Sequence, residues 1–226
     1  MYDLNELSSQ YTYILEKHIK YLHQGNHILL YQKLFDFRIS HLAPAYHLNS
    51  FNNAKNEYFE KDLPELLKKG VIDDNDLALT SLKVQLELNA LLIAIKTSLD
   101  KLVYFISRIN KSVSPKTTFG RIKENQKASG LMSEVLKKKN ESEIMNLLYE
   151  NYLNWISDAV EPRDTIVHYE NLNLDFKLLN SEKFEPVFSK FEKGIHKLEQ
   201  KDLQNFVDNW LKLSSEFIGV FCRSLN

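Results

Sequence analysis

Apolar positions recur every three or four residues along most of this chain, which predicts helices over nearly every segment. From Asp3 to Gln24 the apolar residues share one helical face, and Gly25 predicts the end of that first helix. The longest pattern starts at the capping residues Asp73 and Asp74 and runs to about Ile109. Its apolar positions predict a stripe buried against a partner helix, within the monomer or across a dimer: Leu88, Leu91, Leu92, Ile95, Leu99, Leu102, Ile106 and Ile109.

A second apolar run extends from His27 to Leu42, and it predicts a helix that ends before Pro44. A short strand at Ile28–Tyr31 is the alternative for its first turn, because a brief apolar run fits either element. The stretch Tyr46–Asn56 is rich in asparagine and is therefore predicted to be a loop. Leu63–Lys69 predicts a short helix before Gly70.

The second half of the chain begins with a break at Ser112–Lys116, which contains Pro115. Alternating apolar residues predict that Asn171–Leu179 is extended or forms a small hairpin. The helices predicted here are Thr117–Ile122, Leu131–Lys139, Ser142–Ala159 and a last one from Asp202 through Phe206, Trp210, Leu213, Phe217 and Phe221.

Composition agrees with a helical protein. The chain of 226 residues has only six glycines and five prolines, too few for many β-turns, and 43% of its residues are hydrophobic, enough for a core. The sequence therefore predicts an all-α fold, a helical bundle with a long central helix. Residues 1–70 are expected to form an N-terminal helical extension and residues 71–226 the main helical domain.

Net charge and cysteine content restrict the possible functional classes and the cellular compartment. The formal net charge is −1, which excludes a strongly basic protein that coats nucleic acid but not an enzyme that holds a few phosphates. The single cysteine, Cys222, cannot form an internal disulfide, which indicates a reducing compartment. Neither a signal peptide nor an apolar run of about 20 residues is apparent. We therefore expect a cytoplasmic protein without a membrane partner.

One short run, Glu161–Tyr169, places an arginine five residues before a histidine. Pro162 suits the first position of a helix, so Arg163 lies in the first turn, where anions are favoured. Asp164 and His168 are four apart and share a helical face, so the carboxylate can fix the imidazole tautomer. Arg163 and His168 diverge by roughly 140° around the helix axis, so one reaches around the helix end or meets a second subunit.

This run resembles the R-x(4–6)-H signature of the HEPN superfamily, which comprises all-α domains, many of them ribonucleases. The resemblance covers Arg163 to His168 within a helical context. It implies a homodimer in which two motifs form a composite site, and metal-independent cleavage of RNA but not DNA. It also implies a role in defence or in a toxin–antitoxin pair, with an antitoxin protein as partner. The alternative is a non-catalytic helical bundle that binds a protein or a nucleotide, with the motif as solvated surface charges.

Two further residues are secondary candidates for this site. Asp100 lies beside the apolar stripe of the long helix, where it can bind Arg163 or remain a partly exposed flank residue. Arg121 follows Gly120 and can add to phosphate binding together with Lys123, although a solvated helix start accounts for both equally well.

Other patterns exclude several classes of site. His18, His23 and His27 do not have metal-ligand spacing, and neither E-x-x-H nor H-E-x-x-H occurs. Cys222 lies among apolar residues without a base placed by sequence, and a glycine-rich phosphate loop is missing. The run Lys137–Lys139 is a solubilising face that attracts RNA weakly at most. We therefore expect no metal and no cofactor.

Overall fold

The computed structural model describes most of the chain. The described residues are 1–24, 28–69, 74–123, 127–160, 173–180, 183–189 and 198–225. At positions 19–24, 74, 77–78, 173–180, 183–189 and 198 the description covers the backbone only.

Helices make up the body of the molecule. They are α1 (Leu4–Gln24), α2 (Ile28–Glu57), α3 (Leu63–Lys68), α4 (Asp74–Ile109), α5 (Met132–Lys138), α6 (Glu143–Asn151) and α7 (Gln200–Arg223), with single π-helical turns at Tyr58–Asp62 and Tyr152–Ile156. Among the described residues, no helix combines the length and apolarity that crossing a membrane requires.

Helix α4 is the centre of the bundle, as its apolar stripe predicted. The stripe is buried inside the monomer from Leu88 to Ile106, with Ile109 partly buried, and α4 packs antiparallel to α2. Ser98 of α4 bonds Ser40 of α2, and Glu87 lies near His47. Helices α1 and α7 complete the same core, with Tyr11 of α1 fully buried. The prediction of an all-α helical bundle around a long central helix is confirmed.

Helix α2 contradicts the sequence prediction, because it continues past Pro44 to Glu57 instead of ending at Leu42. The predicted loop at Tyr46–Asn56 is therefore helical, and the strand alternative at Ile28–Tyr31 is also wrong. The asparagines there make tertiary contacts, since the Asn49 side chain bonds both backbone groups of Tyr2, each at 2.9 Å. The apolar residues of this stretch share a buried face that comprises Leu48, Phe51 and Ala54.

Pro44 is tolerated because its missing N–H is replaced from neighbouring helices. A proline at position 44 cannot donate to the carbonyl of Ser40 one turn earlier. That carbonyl instead accepts from Ser98 Oγ on α4 at 2.9 Å and from Trp210 Nε1 on α7 at 3.2 Å. The buried oxygen is thus satisfied, which removes much of the usual penalty for a proline inside a helix.

The segment before α5 also departs from prediction, because Thr117–Ile122 is not a helix. It enters a short β-hairpin in which Ile122 pairs with Ala128. Gly120 and Gly130 flank the hairpin with φ of +76° and +59°, the left-handed region that favours glycine. A Cβ on Gly120 would lie 1.9 Å from the carbonyl oxygen of Ser129, so the two strands approach too closely for any side chain there.

The C-terminal part contains a small antiparallel sheet in the order β1 (Asn173–Asn180), β2 (Lys183–Ser189) and β3 (Leu198–Glu199). Asn173 pairs with Ser189 at one end of the hairpin, so the extended or hairpin prediction for this segment is confirmed. A capping box then starts α7, in which the Glu199 amide donates to Asp202 at 2.8 Å. All five apolar residues predicted to define this last helix are buried.

Candidate functional site

The predicted catalytic residues Arg163, Asp164 and His168 lie outside the described residues. What the structure does describe is the helical run that leads to them, which passes from α6 through the π-helical turn to residue 160. The end of this run is anchored in the core, since Ile156 is fully buried and Val160 is 3% exposed. The chain therefore enters the motif from a well-packed helix.

The Asp100 carboxylate accepts two hydrogen bonds from neighbouring groups. Its Oδ1 accepts from Lys96 Nζ at 2.6 Å and from the Phe119 amide at 2.7 Å. Lys96 is nearly buried, whereas the Asp100 side chain is about one-third exposed. The carboxylate therefore neutralises a buried ammonium and fastens the loop before the 122–128 hairpin to α4. It is a partly exposed flank residue, and its predicted contact with Arg163 involves a residue outside the description.

Arg121 is exposed and belongs to the hairpin, where its backbone carbonyl accepts from the Ser129 amide at 2.9 Å. Lys123 follows two residues later, and its amide donates to the Lys127 carbonyl at 2.8 Å. Sequence reasoning missed Lys127 as their neighbour. The signal was present, because polar and apolar residues alternate on both sides of this hairpin between Gly120 and Gly130.

A buried polar cluster around His41 was also missed. Burial lowers the pKa of His41 to about 4, so the ring is neutral at pH 7. Its Nδ1 lies 2.7 Å from Ser214 Oγ, and that hydroxyl donates to the Trp210 carbonyl at 2.8 Å. The Tyr11 hydroxyl donates to the Leu34 carbonyl in the same region, so this cluster joins helices and lies away from solvent.

Cys222 is fully buried, and burial raises the pKa of its thiol to about 12. A thiol held protonated in this way is a poor nucleophile. This agrees with the sequence argument against a catalytic cysteine.

A groove of about 520 Å³ lies between α1, α6 and α7. Its ionisable lining residues are Glu143, Glu150, Glu216, His18 and Arg223. Arg223 Nη2 is 2.8 Å from Glu143 Oε1, so its charge is already compensated. The excess of carboxylates disfavours a phosphate ligand. Within the described residues, no group of three or more His, Cys, Asp or Glu side chains is arranged to hold a metal ion.

No family model, no curated protein and no solved structure matches this chain. The functional assignment therefore depends on the chemistry of the residues themselves.

Proposed function

We propose that this protein is a metal-independent endoribonuclease of the HEPN type, acting through Arg163 and His168. The observation that carries the proposal is the sequence spacing of the two residues, with Asp164 one helical turn before the histidine. The all-α bundle around a long helix and the core-anchored helix that precedes the motif support it.

The chemistry follows from the side chains. His168 removes the proton of the 2′-hydroxyl, or protonates the departing 5′-oxygen, with its tautomer held by Asp164. Arg163 neutralises the charge that grows on the phosphate oxygens through a two-pronged hydrogen bond. The products are a 2′,3′-cyclic phosphate and a 5′-hydroxyl end. DNA resists because it lacks the attacking hydroxyl.

Assembly as a homodimer completes the proposed site. Since Arg163 and His168 diverge by roughly 140° on a helix, two subunits facing each other bring one arginine close to the partner's histidine. The two histidines then divide the acid and base roles. Control by an antitoxin protein, in defence or a toxin–antitoxin pair, is part of the same proposal.

Cleavage of single-stranded RNA tests the proposal. Activity is expected to survive EDTA and to follow a bell-shaped pH profile around neutrality. His168→Ala is expected to lower the cleavage rate roughly 10²–10⁴-fold, because it removes the acid–base catalyst. Arg163→Lys is also expected to lower the rate severely, because a lysine cannot form the two-pronged hydrogen bond to phosphate. Asp164→Asn is intermediate and Asp100→Asn mild.

His47→Ala is the matched control, because His47 is a partly exposed histidine beside Glu87 and outside the motif. It is expected to retain activity. Cleavage that is lost in EDTA, or that persists in the double substitution of Arg163 and His168, contradicts the mechanism. If the unsubstituted protein does not cleave RNA and binds a protein or nucleotide as well as the double variant does, the chain is instead a non-catalytic helical module.

A further inference from the structure

The near-neutral net charge of this chain conceals a strong asymmetry. Residues 101–139 contain ten Lys and Arg residues but only two acidic residues, Glu124 and Glu134. Since the whole chain has 29 basic and 30 acidic residues, the remainder holds 19 against 28. A formal charge of +8 is thus confined to one segment of an otherwise acidic protein, which is the electrostatic pattern of a polyanion-binding surface.

This segment comprises the end of α4, the hairpin and α5, and its cations reach solvent. Eight of the ten basic side chains are exposed: Lys101, Arg108, Lys111, Lys116, Arg121, Lys123, Lys127 and Lys137. The other two, Lys138 and Lys139, are partly exposed.

The hairpin separates its basic residues from its apolar ones. Directly opposite residues in an antiparallel pair point to the same face, and neighbours along a strand point to opposite faces. Ile122 and Ala128 therefore share one face, which packs against the core. Arg121, Lys123 and Lys127 share the other face, which is exposed. We call these three residues the basic hairpin face.

Tyr152 holds the hairpin in this orientation. Its hydroxyl accepts from the Ile122 amide at 2.8 Å and donates to the Ile122 carbonyl at 3.2 Å. Lys123 and Lys127 are consequently held across from each other, with their side chains on the exposed face.

The lysines of α5 lie beside Glu134, the described acidic residue of this segment. Glu134 accepts from Ser112 Oγ and from Lys137 Nζ, each at 2.8 Å, and it lies 3.9 Å from Lys138 Nζ. The hydrogen bond from Lys137 lowers the pKa of Glu134, so the carboxylate stays charged and compensates the positive charge of the neighbouring α5 lysines. Glu124, the other acid of the segment, lies outside the described residues.

We propose that the basic hairpin face binds the phosphodiester backbone of single-stranded RNA. The choice of RNA rests on the proposed ribonuclease function. Tyr152 belongs to the helical run that is described as far as residue 160, about 12 Å further along the helix and just before the motif in the sequence. A membrane surface is disfavoured, because none of the described residues in 101–139 is an exposed large hydrophobic side chain of the kind that enters lipid.

The test measures binding of labelled single-stranded RNA to the full chain carrying His168→Ala, a substitution expected to slow cleavage strongly during the titration. Lys123→Gln with Lys127→Gln is compared with Lys17→Gln plus Lys212→Gln, two exposed lysines of α1 and α7. Both pairs remove the same charge. At about 0.7 counterions per contact, the hairpin pair is expected to weaken binding roughly 25-fold at about 0.1 M salt and to lower the salt slope by about 1.4.

The control pair is expected to change both quantities little. Single-stranded DNA should bind the hairpin about as well as RNA, because backbone contacts do not read the 2′-hydroxyl. Equal losses in the two variant pairs overturn the proposal. So does binding to phosphatidylserine vesicles without binding to RNA.

Failure of this inference and failure of the proposed function give different results. RNA that binds through the hairpin but is never cleaved by the chain with His168 intact refutes the ribonuclease and leaves the surface in place. RNA that is cleaved by a chain insensitive to Lys123→Gln and Lys127→Gln refutes the surface alone. Circular dichroism of each variant confirms that the fold is retained.

Discussion

If the Ser98 hydroxyl replaces the N–H that Pro44 lacks, removing that hydroxyl should lower the free energy of unfolding. Both ends of the Ser98–Ser40 hydrogen bond are buried, with Ser98 2% and Ser40 3% exposed. Ser98→Ala removes one donor from the Ser40 carbonyl, which still accepts from Trp210 at 3.2 Å. Because the oxygen keeps one partner, we expect a loss of about 1 kcal/mol in the free energy of unfolding, rather than the 1–3 kcal/mol of a fully unsatisfied group.

Pro44→Ala tests whether the Ser98 hydroxyl acts in place of the missing backbone donor. An alanine at position 44 has an N–H that can donate to the Ser40 carbonyl, as in an ordinary helix. Ser98→Ala should then cost only a few tenths of a kcal/mol in the Pro44→Ala background. The coupling energy of the double-mutant cycle is therefore expected to be about 0.5–1 kcal/mol. The direct effect of Pro44→Ala cancels in the cycle.

Urea unfolding followed by circular dichroism supplies the four free energies of the cycle. Ser215→Ala is a matched control, since Ser215 Oγ donates to the Leu211 carbonyl at 2.8 Å within an unbroken helix. Its cost should be the same with and without Pro44, to within about 0.3–0.5 kcal/mol. If Ser98→Ala costs the same in both backgrounds, Ser98 does not replace the missing donor.

Two other predictions concern pH and the hairpin glycine. Because burial lowers the folded-state pKa of His41 from 6.5 to about 4, the unfolded chain binds the extra proton between these values, so stability rises with pH there. His41→Gln should remove about 3 kcal/mol of that rise. Urea unfolding of both proteins at pH 4 and 7 measures the difference, and an identical pH dependence of the unfolding free energy would contradict a buried neutral ring. Gly120→Ala should cost at least 1–2 kcal/mol, because its φ is +76° and its Cβ meets backbone at 1.9 Å. Gly219→Ala, whose Cβ meets only side-chain atoms at 3.2 Å or more, is the control, and equal thermal shifts would count against the strained turn.

The helices that depend on a long apolar period were predictable from the residue pattern. The buried stripe of α4 and the five apolar residues of α7 recur over many turns, and such periodicity specifies both the element and its buried face. The motif from Arg163 to His168 is likewise a property of local spacing, so the sequence alone supplies that hypothesis.

Tertiary structure decided the segments in which local rules and long-range contacts disagree. Pro44 and the asparagines after it favour a break locally, yet donors from α4 and α7 satisfy the Ser40 carbonyl, and Asn49 binds the N-terminal backbone. The orientation of the basic hairpin face was decided by a different tertiary contact. Its orientation depends on Tyr152, 30 residues away from Ile122, and no local pattern encodes a contact at that separation.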